Sequence, residues 1–255
     1  MNISAVIITQ DEERNIARCL DSLAGVADEV VVVDSGSTDA TAEICASHNS
    51  QFSILNFQFH KWQGYDCQKN HANSLATHPW VLSIDADEAL SPTLRKSLLT
   101  LKATEPDIHT VFDVNRLNNY CGHWIHHSGW YPDRKTRLWY RDTAQWTGSV
   151  HEELRYTCVP RHILLDGDLL HYTYYSVADH AARQVKYATL AAEKSLNEGK
   201  RVRSSDLWIK PAWTFFRNYL LRLGFLDGHA GYIVCRMSAF YTFIKYANLY
   251  AKHHS

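Results

Sequence analysis

Apolar positions in the first hundred residues come in two patterns, short continuous runs and helically spaced stripes. Ile3 to Thr9, Val30 to Val33, Ile54 to Phe59 and Trp80 to Ile84 are the runs. Several are rich in β-branched residues, which predicts parallel strands covered on both faces. Between the first two, Ile16, Cys19, Leu20 and Leu23 fall at helical spacing behind Asp11, Glu12 and Glu13. Acids at that place would complement the positive end of a helix dipole. The turn from Ser35 to Asp39 leads into a helix through about Ala46. Ser91-Pro92 opens another, with serine as N-cap and Leu94, Leu98 and Leu101 as its buried stripe. This alternation predicts an α/β fold, a doubly wound Rossmann-like sheet with helices on both faces.

From about His109 the pattern changes. Val111 to Val114, Thr136 to Tyr140 and Ile163 to Tyr172 predict strands, separated by a loop rich in Trp, Tyr and His. Ser176 and Asp179 predict the start of a helix that stops at Gly199. The stretch from Lys210 to Lys252 sets six basic residues against one acid, Asp227, among dense aromatics. Ile233, Met237, Phe240, Ile244 and Ala247 fall on one helical face there. Such amphipathic helices lie in a membrane interface, or pack on the domain or on a second subunit. The expected division is therefore a domain over 1–205 and a helical, aromatic and basic extension over 206–255. Within the domain, the change of pattern near His109 divides 1–108 from 109–205.

A chain of 255 residues suits one large domain with an extension. The formal net charge of -1 argues against a nucleic-acid partner, which would call for a basic excess. The 6 cysteines form no C-x-x-C pair, which predicts reduced thiols and a cytoplasmic setting. Met1 to Ser4 carries no basic signal-peptide region, and no apolar run is long enough for a transmembrane helix. A protein that is soluble or attached only to a membrane surface is expected.

The chemistry-bearing feature is Asp85-Ala86-Asp87, directly behind the Trp80–Ile84 run. Two hard oxygen ligands at a strand end can hold a divalent cation against a diphosphate. Alone, a D-x-D is more often a solvated turn. Here Thr9 and Asp11 follow the first strand, Asp34, Ser35 and Gly36 follow the second, and Gly64 to Asn70 lies in the third connection. Carboxyl-terminal strand ends of a doubly wound sheet converge on one crevice. Cys121, His123, His126 and His127 are zinc-compatible types without a recognised spacing. Their aromatic neighbours, Trp130 and Tyr131 among them, suggest instead that the loop from Cys121 to Arg137 offers ring faces for stacking.

The segments "AVIITQDEERNIARCLDSL", "EVVVVDSGSTDAT", "GYDCQKNHA" and "WVLSIDADE" resemble a family 2 glycosyltransferase with the nucleotide-sugar-binding GT-A fold. "WTGSVHEEL", "LLHYTYYS" and "PAWTFFRNYLLRLGFLDGHAGY" resemble, more closely, bacterial lipopolysaccharide inner-core glucosyltransferases. The resemblance implies an inverting transfer of a hexose, with glucose favoured, from a UDP-sugar to a heptose of a lipid-linked core saccharide. It places the protein at the cytoplasmic face of the bacterial inner membrane. Thr9, Asp11 and Asp34, with Ser35 and Gly36, would hold the nucleoside, and Lys69 would lie near the diphosphate. Asp85 would sit near ribose or metal, and Asp87 would ligate Mg2+ or Mn2+. His171 would complete the metal sphere or be a core histidine. The base would be Glu152 or Glu153, with Glu152 favoured and His151 beside it. Trp130, Tyr131, Arg137 and His151 would contact acceptor or sugar. A polyprenyl-phosphate sugar transferase shares the N-terminal motifs, and a non-catalytic carbohydrate binder could retain the fold. A nicotinamide dehydrogenase is disfavoured because no G-x-G-x-x-G follows the first strand.

Overall fold

The computed structural model describes residues 1–148 and 152–254. Its first half alternates as the apolar runs predict: β1 (Ile3–Thr9), α1 (Ile16–Leu23), β2 (Glu29–Asp34), α2 (Thr41–Ser47) and β3 (Ile54–Phe59). Then come α3 (Tyr65–Leu75), β4 (Trp80–Asp85), β5 (Glu88–Leu90) and α4 (Pro92–Lys102). Ser91 caps α4 as expected, its Oγ accepting from the backbone N–H of Leu94 at 3.2 Å. Two features differ. Asp11 to Glu13 precede α1 rather than joining its first turn, which has no acid. The third connection folds into α3, whose start at positive-φ Gly64 no apolar stripe announces.

Strands of mixed length follow: β6 (Thr110–Tyr120), β7 (His123–Ile125), β8 (Asp133–Tyr140), β9 (Ala144–Thr147), β10 (Glu153–Tyr156) and β11 (Arg161–Tyr174). The helices α5 (Val177–Asn197), α6 (Asp206–Phe216) and α7 (Gly228–His254) complete the chain. The main sheet runs β3-β2-β1-β4-β8-β6-β11-β5, with β7 on β6, and β10 pairs β9 separately.

Contacts divide the chain into two units. The first is Met1–Arg116 with Asp133–His171, and the second is Leu117–Pro132 with Tyr172 onward. Residues 172–205 thus group with the C-terminal helices, and so do residues 117–132.

In the first unit, side chains alternate across β1. Ile3, Ala5 and Ile7 pack with Leu20, Leu23, Leu94 and Leu98 on one face. Val6 joins Val31, Val81, Ala72, Trp139 and Trp146 on the other. Helices therefore cover both faces. Parallel register then sets the crevice, because Thr9 pairs Asp34 on β2 and Ile8 pairs Asp85 on β4. Three chemistry-bearing strand ends thus lie side by side.

In the second unit, Ser176 caps α5, its Oγ accepting from Asp179 N–H at 3.0 Å. Along α7 the buried positions include Ala230, Val234, Cys235, Ala239 and Leu249. The five residues expected to share its buried face are only partly covered, so α7 has no single clean apolar stripe. Among the described residues, no helix is long and apolar enough to cross a membrane.

Candidate active site

The first loop and the second are tied to each other before any ligand is considered. Asp34 closes β2, and its Oδ2 accepts from the backbone N–H groups of Gly36 and Ser37, both at 2.9 Å. Gly36 has φ of +102°, a conformation that a side chain would strain. Asp11, itself left-handed at φ 54°, donates its N–H to Ser37 Oγ and accepts from Thr38 N–H at 2.7 Å. Thr9 is buried, and its Oγ1 has no hydrogen-bond partner among the described residues.

The start of α3 carries three polar side chains inward. Gln68 is fully buried and donates to Ser35 Oγ and to the His60 carbonyl, each at 2.8 Å. Asn70 clamps β9, donating to the Trp146 carbonyl at 2.8 Å and accepting from Trp146 N–H at 2.9 Å. Between them, Lys69 is buried and reaches across the crevice. Its Nζ lies 3.3 Å from Asp85 Oδ1, 3.0 Å from Glu152 Oε1 and 4.7 Å from the Trp146 ring centroid. Lysine, Asp85 and Glu152 come from sequence-distant segments and meet at one ammonium.

Asp85 is held from the other side by Arg137 on β8, Nη2 to Oδ2 at 3.0 Å. The same guanidinium nitrogen contacts Glu88, which is fully buried and accepts from Asp85 N–H at 3.0 Å. Arg116 on β6 approaches Glu88 at 3.6 Å and pairs with Asp133 at 2.7 Å. Burial pushes the Asp85 carboxyl up, but Lys69, Arg137 and the Arg137 hydrogen bond together hold it well below the usual carboxylate range. Glu88 moves the other way, since burial and the neighbouring Asp85 charge raise it despite Arg137. Burial opposes the charge of Arg137 too, yet Glu88 and Asp85 keep its guanidinium firmly protonated.

Asp87 points elsewhere. Its Oδ2 lies 3.2 Å from His171 Nε2, brought by β11, which pairs β5 with His171 opposite Glu88. A carboxylate and an imidazole at this separation fit a divalent cation whose other positions a diphosphate and water would fill. Among the described residues, no group of three or more His, Cys, Asp and Glu side chains is placed to hold a metal by itself. Asp85, expected as nucleotide or metal ligand, has its carboxylate between Lys69 and Arg137.

A cavity of about 500 Å³ opens beside this network. Lys69, Asp85, Arg137, Trp146, Glu152 and Glu153 line it, with Arg116, Arg134 and Lys135 adding positive charge. Arg137 Nε and Trp146 Nε1 are buried without hydrogen-bond partners among the described residues. Glu152 is half-buried against Lys69, whereas Glu153 is exposed and begins β10.

Thr9, Asp11, Asp34, Ser35, Gly36, Lys69, Asp85, Asp87, Glu152, Glu153 and His171 thus all belong to the first unit. Arg137 does too; it is 3% exposed, and its guanidinium contacts Asp85 and Glu88. Trp130 and Tyr131 belong to the second unit. The Trp130 ring packs on Tyr120 at 6.0 Å and on His180 at 6.0 Å, and Tyr131 meets His126 edge-on. His127 is taken by Asp227 at 2.8 Å. His151 lies outside the described residues. Gln68, Asn70, Glu88, Arg116 and Trp146 escaped the sequence reading. Several sit in the very segments that carried the family resemblance, which is the signal that could have found them.

The match to the sequence pattern of glycosyl transferase family 2 spans residues 4–158. The chain belongs to this family, and its fold is that of the GT-A glycosyltransferases. It is 33% identical to the lipopolysaccharide core biosynthesis glycosyltransferase LpsC of Rhizobium meliloti, over 98% of this chain and 93% of that protein. An uncharacterized glycosyltransferase of Rickettsia felis is 28% identical over 97% of this chain and 89% of its own. In structure the chain is similar to the mannosyltransferase PcManGT of Pyrobaculum calidifontis, solved with GDP-Man and Mn2+. The TM-score is 0.55 at 17% identity, covering 98% of this chain and 88% of that one. Residues 1–349 of S. aureus TarS, solved with UDP, give a TM-score of 0.50 at 17% identity over 99% and 92% of the two chains.

Proposed function

We propose that this glycosyltransferase moves a hexose, glucose first among the candidates, from a UDP-sugar to a heptose of a lipid-linked lipopolysaccharide core, with inversion at the anomeric carbon. It would work at the cytoplasmic face of the inner membrane. The observation that carries the reading is Lys69, whose ammonium joins the D-x-D strand end to Glu152 at 3.3 and 3.0 Å. The similarity to LpsC supports a core-saccharide acceptor.

Thr9, Asp11 and Asp34 receive the nucleoside at the aligned ends of β1 and β2, where Thr9 Oγ1 has no partner among the described residues. Lys69 faces the diphosphate and neutralises part of its charge. Asp87 with His171 holds Mg2+ or Mn2+, which when bound stabilises the departing diphosphate. Arg137 and Glu88 touch no substrate in this scheme; they fix the Asp85 carboxylate. Glu152 takes the proton from the attacking acceptor hydroxyl through a carboxylate oxygen that Lys69 leaves open.

A UDP-release assay with a core-saccharide acceptor, with and without Mn2+, tests the reading. Metal-dependent release that needs the acceptor is expected. Release from GDP-sugars alone would move the donor class, and none from any nucleotide sugar would favour a carbohydrate binder.

A further inference from the structure

Where α6 turns into α7, the second unit gathers cations around a hollow. A cavity of about 370 Å³ is lined by Arg217, Arg222, Asn218, Tyr241, Ser128 and Thr242, among others. Neither arginine has a carboxylate partner among the described residues. Asp227, the acid of this turn, is already engaged, accepting from the N–H groups of His126 and His127 and from His127 Nδ1.

The hollow is built, not incidental. The helix widens into a π-turn over Arg217–Leu221, and Leu223 takes a left-handed φ of 55°. Ser128 N–H donates to the Arg222 carbonyl at 2.9 Å. A Cβ on Gly129 would sit 2.2 Å from Arg222 Nη1, so the arginine lies directly over that glycine. The same segment leaves a run of large apolar side chains in water. Trp208 is 75% exposed, Ile209 62%, Trp213 51%, Leu221 60% and Leu226 56%.

The geometry points to a docking surface for an anionic membrane, with a phospholipid headgroup phosphate held by Arg217 and Arg222 while the apolar run enters the interface. This rests on the membrane-surface part of the proposed function and gives it a site. Guanidinium forks match phosphate oxygens, and the Tyr241 and Thr242 hydroxyls with the Asn218 amide can add hydrogen bonds. Trp and aliphatic side chains beside cations suit the headgroup boundary. Charge decides the occupant: a second copy seated on this face would set the same arginines against each other.

The full chain is sedimented with vesicles of phosphatidylcholine, alone and mixed with phosphatidylglycerol. Retention on the mixed vesicles is expected, weakened roughly thirtyfold in Arg217→Gln/Arg222→Gln. Lys210→Gln/Arg236→Gln, which removes equal charge outside the cavity, should weaken it less, and Arg217→Lys/Arg222→Lys should fall between. Far-UV circular dichroism confirms that each variant folds. Equal weakening by both glutamine pairs would overturn the cavity but leave diffuse surface attraction standing. Wild type that ignores the mixed vesicles at low salt overturns both, while UDP release still reports separately on the transferase chemistry. Stabilisation by inorganic phosphate without vesicle retention, or a dimer that buries this face, would equally overturn the lipid assignment.

Discussion

Around Asp85 the first unit sets cations against carboxylates, with Lys69, Arg137 and Arg116 beside Asp85, Glu88, Glu152 and Asp133. The second unit handles its polar groups differently. His180 is fully buried among Tyr120, Tyr174 and Trp130, and burial, aided by Arg183, lowers its pKa to about 4. It is therefore neutral there, while Arg217 and Arg222 line an open hollow. Paired buried charges fix positions to tenths of an ångström at a cost in stability if either partner is lost. A neutral core with outward cations leaves attraction available for something external.

The sharpest way to break this contrast is to remove the candidate base. Glu152→Gln should lower turnover roughly a hundred- to ten-thousand-fold with unchanged folding. An undiminished rate would hand the role to Glu153 or another group. Next in size, Arg137→Met strands Glu88 and half of the Asp85 pairing. Urea denaturation should show a loss of about 3–5 kcal/mol. A loss under about 1 kcal/mol would mean the network is not the constraint it looks to be.

The second unit answers to pH. The folded-state pKa of His180 lies below its unfolded value, so the unfolded chain binds the proton first. Its contribution is complete above about pH 6.5 and is lost as pH falls toward 4, by at most about 1.4 kcal/mol per pH unit. His180→Gln should flatten stability measured between pH 7 and 4.5; an identical slope in both proteins rejects a neutral buried His180. Smallest is Gly129→Ala, which places a side chain at φ +77° and should cost about 1 kcal/mol. It also displaces Arg222, so vesicle retention should fall alongside, and unchanged retention would separate the two.

The strands and caps of the first half were readable because each is a local pattern: β1 and β3 run over the residues their apolar runs marked, and Ser91 and Ser176 cap their helices. The candidate site was readable only through short segments. Asp34, Asp85 and Asp87 stand at strand ends, where polarity changes abruptly. Arg137, Glu88 and Arg116 were opaque because their meeting depends on antiparallel register between β4, β8 and β6, which no local period encodes. Three- and four-residue strands such as β5, β7, β9 and β10 are too short to show a period at all. Trp130 packs on Tyr120 and His180, a role its aromatic ring fills as readily as contact with a sugar.

The side-by-side alignment of Thr9, Asp34 and Asp85 is inherited from ladders that continue down the whole length of β2, β1 and β4. Sliding β4 by a single residue would turn its every side chain over and carry the aspartate to the wrong layer. Fidelity at the mouth of the crevice is thus guarded from the deepest part of the protein. Loops beyond the strand tips can be rewritten for new sugars without loosening that alignment.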